Sequence, residues 1–209
     1  TAAETATAFQ RAAELFGRGQ FDAAAVLLAQ LLEAQHDFAD AHFLLGLIEK
    51  KRGDTEAAAD CFTLATTFRP EFVEAWCQRA AVEMARGDIE GCRHAIGRAL
   101  ASAPEHVEAH VMAARLCERD KRFGRAIEHW LAVVRAQPDH ALAYCNLGRL
   151  TLRDTQDDEL ALDYVKRALA LPRRAVASRS CCSFRGERQR PLSNVTPRLQ
   201  WIRRQRIHA

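Results

Sequence analysis

Residues 39–70, ADAHFLLGLIEKKRGDTEAAADCFTLATTFRP, read as two short amphipathic helices joined by a turn. Leu45-Gly46 falls in the first helix and Gly53-Asp54 makes the turn; Ala58, Phe62 and Ala65 share one face of the second helix, and Pro70 closes it. The same slots return 34 residues further on: Gly53 becomes Gly87, Phe62 becomes Ile96 and then Trp130, and Pro70 becomes Pro104, Pro138 and Pro172. A fixed period of this size marks a solenoid, in which each hairpin buries its apolar face against its neighbours.

Working outward, the copies fall at about 5–38, 39–72, 73–106, 107–140 and 141–172. The first is the most degraded: Gly19, Phe21, Ala24 and Leu28 keep the turn and second helix, but His36 replaces the closing proline. That is expected of a terminal cap. The fifth has a turn without glycine, Asp154-Thr155-Gln156-Asp157-Asp158, and its alanine arrives one residue late, at Ala161. Asp22, Asp54 and Asp88 lie at the starts of second helices, where a carboxylate meets orphan amides and the positive end of the helix dipole. Pro70, Pro104 and Pro138 end them. The expected fold is therefore all-α, an α-α superhelix of tandem hairpins.

Two interior columns follow from the period. Ala12, Gly46, Ala80, Ala114 and Gly148 are small, which lets paired helices approach. Ala8, His42, Trp76, His110 and Tyr144 in the first helices, with Leu28, Phe62, Ile96, Trp130 and Tyr164 in the second, fill the space between hairpins.

These columns resemble the tetratricopeptide repeat, with its Trp, Leu-Gly and Tyr in the first helix and Ala, Phe and Pro in the second. The second copy carries Leu45-Gly46, Ala58, Phe62, Ala65 and Pro70; the third Trp76, Ala99 and Pro104; the fourth Ala126, Trp130 and Pro138; the fifth Tyr144, Leu147-Gly148 and Tyr164. The resemblance spans about residues 5–172 and implies a right-handed superhelix whose concave face, lined by first helices, docks a peptide or partner protein. On that face it would place Phe9, Phe43, Cys77, Val111 and Cys145 in one column and Leu47, Arg115 and Arg149 in the next. Phe16, Lys50, Met84, Glu118 and Leu152 stand in a third, and Arg119 and Arg153 extend a basic end. The expected partner is apolar near Phe9, Phe43 and Leu47 and offers an acidic group to Arg115 and Arg149. Phe9, Ala13, Leu44, Glu74 and Gln78 stand where chaperone-binding relatives carry a Lys and Asn clamp, so an Hsp70 or Hsp90 co-chaperone is not expected.

Composition agrees with a folded helical chain: 48% hydrophobic and 27% charged residues leave too few breakers for wholesale disorder. No apolar run reaches the roughly 20 residues of a membrane helix, and the start lacks signal-peptide character. With seven cysteines in no metal or disulfide pattern, the expected setting is cytoplasmic. Catalysis is not expected: there is no phosphate loop, nucleophile elbow or zinc motif, and His106 and His110 alone do not make a metal site. No cofactor is called for.

The formal charge of +3 divides unevenly, with ten Arg and one Glu in residues 173–209, net +9, and net −6 in the remainder. That Arg-rich segment has no repeat and is expected to be disordered. It leaves three readings open: an arm for nucleic acid or an acidic surface, an ordinary terminus, or a shifted reading frame. The main expectation, a non-catalytic interaction scaffold, thus has two rivals. One is the scaffold portion of a larger enzyme, of sulfotransferase or glycosyltransferase type, truncated or frame-shifted after about residue 172; the other is an adaptor whose basic tail binds nucleic acid.

Overall fold

The computed structural model describes residues 2–171, and the expectations for the Arg-rich segment lie outside them. Among the described residues there are ten α-helices and no strand, paired as α1 (Ala2–Gly17) with α2 (Phe21–Ala34) and α3 (Ala39–Arg52) with α4 (Thr55–Phe68). The series continues with α5 (Val73–Arg86) and α6 (Ile89–Ser102), α7 (Val107–Arg119) and α8 (Phe123–Ala136), and α9 (Ala141–Asp154) and α10 (Asp158–Ala170).

Each boundary has a local cause. Gly19, Gly53 and Gly87 take left-handed backbone, with φ of 76°, 88° and 84°. At Gly53 and Gly87 the two amides after the helix return to its last carbonyls: Gly53 to Lys50, Asp54 to Glu49, Gly87 to Met84 and Asp88 to Glu83. This satisfies groups that a helix end otherwise leaves open. Asp54 then caps α4 by accepting from the Ala57 amide at 3.0 Å, and Asp88 caps α6 through the Gly91 amide at 2.9 Å. Asp22 departs from the expected pattern: Gln20 occupies the α2 cap position, and Asp22, in the first turn, pairs instead with Arg52 at 2.5 Å.

The small column is the inside of the hairpin. Ala12, Ala80 and Ala114 are fully buried, and a Cβ on Gly46 would stand 2.7 Å from the Phe62 ring. In the fifth hairpin the extra turn residue rotates the slot. Ala161 is buried where Ala58 stands in the second, and Val165, one residue past the position equivalent to Phe62, approaches the Gly148 Cβ position most closely, at 2.9 Å.

Stacking between hairpins also has a polar component. Trp76 donates its ring N–H to the Pro70 carbonyl at 2.7 Å. His110 and His42 make the same bond through Nε2, to the Pro104 and His36 carbonyls, each at 2.8 Å. A carbonyl only accepts, so both histidines carry their proton on Nε2. In α3, α5 and α7 the slot therefore holds a flat ring with an N–H that ties the helix to the loop six residues before it. Second helices pack against the next first helix, and α1 meets α3 and α5 meets α7, whereas no two second helices approach as closely among the described residues. Stacked units that close up on one side curve towards it, so the first helices line the inner face.

Candidate functional site

The inner face is built from one stripe of each first helix. On α3 the stripe starts with Phe43, whose ring lies 4.8 Å from that of Phe72 and 5.8 Å from that of Phe62. Leu47 packs on the same group and on the N-terminal core, and Phe9 of α1 meets Phe38 edge-on at 5.2 Å. All three are half-buried. The apolar end of the face thus also holds successive hairpins together.

A polar ladder crosses the middle. Lys50 of α3 donates to Gln78 of α5 at 2.7 Å, and Gln78 donates to Glu108 of α7 at 3.1 Å. Lys50 is exposed, yet loss of hydration lowers its pKa from the ordinary lysine value, while Glu108 opposes the shift. A side chain that touches water but is enclosed by protein behaves as expected on a concave face.

Cys77, expected on this face, is buried at 1% exposure, with its sulfur 3.7 Å from His106 Nδ1. Burial and the nearby Glu108 and Glu74 carboxylates push its thiol up to about 12, so it is unreactive at neutral pH. His106 is the N-cap of α7, accepting from the Ala109 amide at 3.3 Å, and it covers the sulfur. Val111 and Arg115 on the same helix are half-buried.

On the last first helix the stripe is the most open. Cys145, Arg149 and Leu152 lie at i, i+4 and i+7 on α9, and all three are exposed. Tyr144, Leu147 and Leu150 face the core. Arg149 pairs with Glu118 of α7, which also accepts from the Trp130 ring N–H at 2.9 Å. Both side-chain contacts of Arg149 run through Nη2, the second going to Asn146 at 3.3 Å, so Nε and Nη1 point to no partner in these contacts. Arg119 is exposed at the end of α7, and Arg153 lies over the Phe123 ring at 4.4 Å, at the turn edge of the stack.

Gln78 and Glu108, which build the ladder with Lys50, were not among the sequence candidates for this face, whereas Glu118, the partner of Arg149, stands in the Lys50 column. Their partners are separated by 28 to 31 residues, one repeat less about a helical turn. A search for opposite charges at that offset would have found the Arg149–Glu118 pair. Among the described residues no three His, Cys, Asp or Glu side chains group as a metal site, and no helix is long and apolar enough to cross a membrane.

Helical hairpins stacked through repeating slots, with one helix of each lining a common face, define a solenoid repeat protein. Within that class the chain belongs to the tetratricopeptide repeat family, whose model matches residues 9–71, 77–131 and 119–175. Solved structures repeat the fold at low identity. MamA from Desulfovibrio magneticus RS-1 aligns with a TM-score of 0.71 at 18% identity, over 81% of this chain and 96% of that one. YrrB, described as "a TPR protein with an unusual peptide-binding site", aligns with a TM-score of 0.64 at 19% identity, over 78% and 83% of the two chains. PilF of Pseudomonas aeruginosa gives a TM-score of 0.69 at 15% identity, over 82% and 79%. No curated protein matches the chain in sequence.

Proposed function

We propose that the chain is a non-catalytic scaffold that docks a peptide or partner protein along its first-helix face. The observation that carries this reading is the α9 stripe of Cys145, Arg149 and Leu152, all three exposed on a face where Phe9, Phe43 and Leu47 are half-buried and Cys77 is buried. Leu152 offers exposed apolar surface of the kind that marks contacts, and Arg149 offers N–H donors suited to a carboxylate. Towards the other end the half-buried Phe43 and Leu47 suit an apolar side chain of the partner, with Lys50 beside them. The partner is therefore an extended segment with apolar groups and an acid near Arg149. Peptide binding by YrrB, a protein of the same fold, supports a segment as the ligand.

The test is recovery of co-purifying proteins by the full chain and by an Arg149→Glu, Leu152→Asp double variant. Both positions are exposed and Glu118 keeps its bond from Trp130, so the variant is expected to lose at most about 1 kcal/mol with the Arg149–Glu118 pair and to stay folded while losing those proteins. Equal recovery at equal stability would remove this face from the account.

A further inference from the structure

A ladder of ion pairs runs along the turn edge of the stack, away from the inner face. Arg52 at the end of α3 reaches back to Asp22 of α2 at 2.5 Å, and Arg86 at the end of α5 takes Glu56 of α4 at 2.6 and 2.9 Å. Each arginine also holds an acid of its own helix, Glu49 or Glu83. At the next step the polarity reverses: the slot of Arg52 and Arg86 holds Asp120, which accepts from Arg93 of α6 at 3.1 Å. The acidic slot of Asp22, Glu56 and Glu90 then falls on Gly124.

The turn between α7 and α8 is left with surplus positive charge. Arg119, Lys121, Arg122 and Arg125 are all exposed, and among the described residues their side chains have no hydrogen-bond or ion-pair partner. Asp120 is occupied by Arg93, and α8 has no acid in its first turn. Glu118 is taken by Trp130 and Arg149, Asp154 stands 3.8 Å from where a Cβ on Gly124 would stand, and Arg153 beside it is a further cation. The arginines act on one neighbourhood, since Arg93, Arg122 and Arg125 all oppose the upward shift of the Cys117 thiol caused by burial.

The backbone supplies a second observation. This turn makes the same paired bonds as the glycine turns, Lys121 to Glu118 and Arg122 to Cys117, with Lys121 at φ 58°. Left-handed backbone is inexpensive only for glycine, so a lysine there retains charge at a cost in stability.

We propose that this edge is a second docking surface, for an acidic peptide segment of a partner protein, independent of the first-helix face. An acidic peptide fits better than a nucleic acid because the patch is short and lies on a body of net −6, which repels an extended polyanion beyond the contact.

The probe is a fluorescein-labelled tetraglutamate, short enough to lie within the patch, followed by anisotropy with the full chain at about 50 mM salt, where surface charge is weakly screened. A Lys121→Gly, Arg122→Gln, Arg125→Gln variant is expected to bind about tenfold more weakly, whereas an Arg18→Gln, Arg135→Gln, Lys166→Gln control with the same loss of charge keeps wild-type affinity. Lys121→Gly alone should not lower the melting temperature, which separates lost binding from lost folding. Unchanged affinity in the first triple variant, or an equal loss in the control, overturns the proposal. So does a deoxyoligonucleotide of equal charge that binds more tightly than the peptide and loses its affinity to the same substitutions.

Discussion

At the scale of single residues, the slot shared by His42, Trp76 and His110 shows how far a sequence pattern can be read. Its size and position were legible from the period, but its chemistry was not, because a ring N–H donor is common to tryptophan and histidine and the carbonyl it meets is a property of the folded loop. Trp76 is 5% exposed, so Trp76→Ala is expected to cost about 3 to 5 kcal/mol in a denaturant titration. Trp76→Phe, which keeps an aromatic ring but orphans the Pro70 carbonyl, should cost at least about 1 kcal/mol. Cys77 shows the opposite limit. Counting in steps of 34 placed it beside Phe43 and Val111, yet its neighbour His106 belongs to the next loop and covers it. Lys121 carries its own prediction: Lys121→Gly relieves left-handed strain and should stabilise the chain by about 1 kcal/mol, read as a raised denaturant midpoint at constant slope.

At the scale of elements, starts and stops were the most legible feature because each rests on a local backbone need. Asp54 and Asp88 accept the amide three residues on, and Asp54→Ala or Asp88→Ala is expected to cost about 1 kcal/mol. Asp22 looked equivalent in sequence and is not, since a residue inside the first turn pairs with a neighbouring hairpin more readily than it bends back to its own amides. The close approach of paired helices was also legible. Ala80 is fully buried on α5, so Ala80→Leu should overpack the third hairpin by about 1 to 3 kcal/mol; an unchanged melting temperature would mean that the helices are in a different register. The fifth hairpin was read less well, because one added turn residue moves every later side chain by about 100° around α10. Val165 thereby takes against Gly148 the place that Phe62 holds against Gly46.

At the scale of the whole molecule, the period established the stacking but not the ties between units, which depend on where long side chains end. One of these contacts makes stability pH-dependent. His129 of α8 lies with its Nδ1 3.1 Å from that of His110 on α7. Burial first, and then His110, hold its pKa below the ordinary imidazole value; Arg125 adds to this and Glu128 opposes it. The unfolded chain therefore takes up this proton at a higher pH than the folded one, so stability is complete above about pH 6.5 and falls as pH drops through the lowered folded value. Thermal melts across that range should show the loss, and His129→Gln should reduce its slope. The partner remains the larger question, and the first-helix face is the central claim. A photocrosslinking residue placed at Leu152 on that face, or at Leu64 on a second helix, tests it most directly in the full chain. The account predicts partner adducts from position 152 that disappear when Arg149→Glu is added, and few from position 64. Adducts from position 64 alone, or adducts from 152 that are indifferent to Arg149, would contradict it.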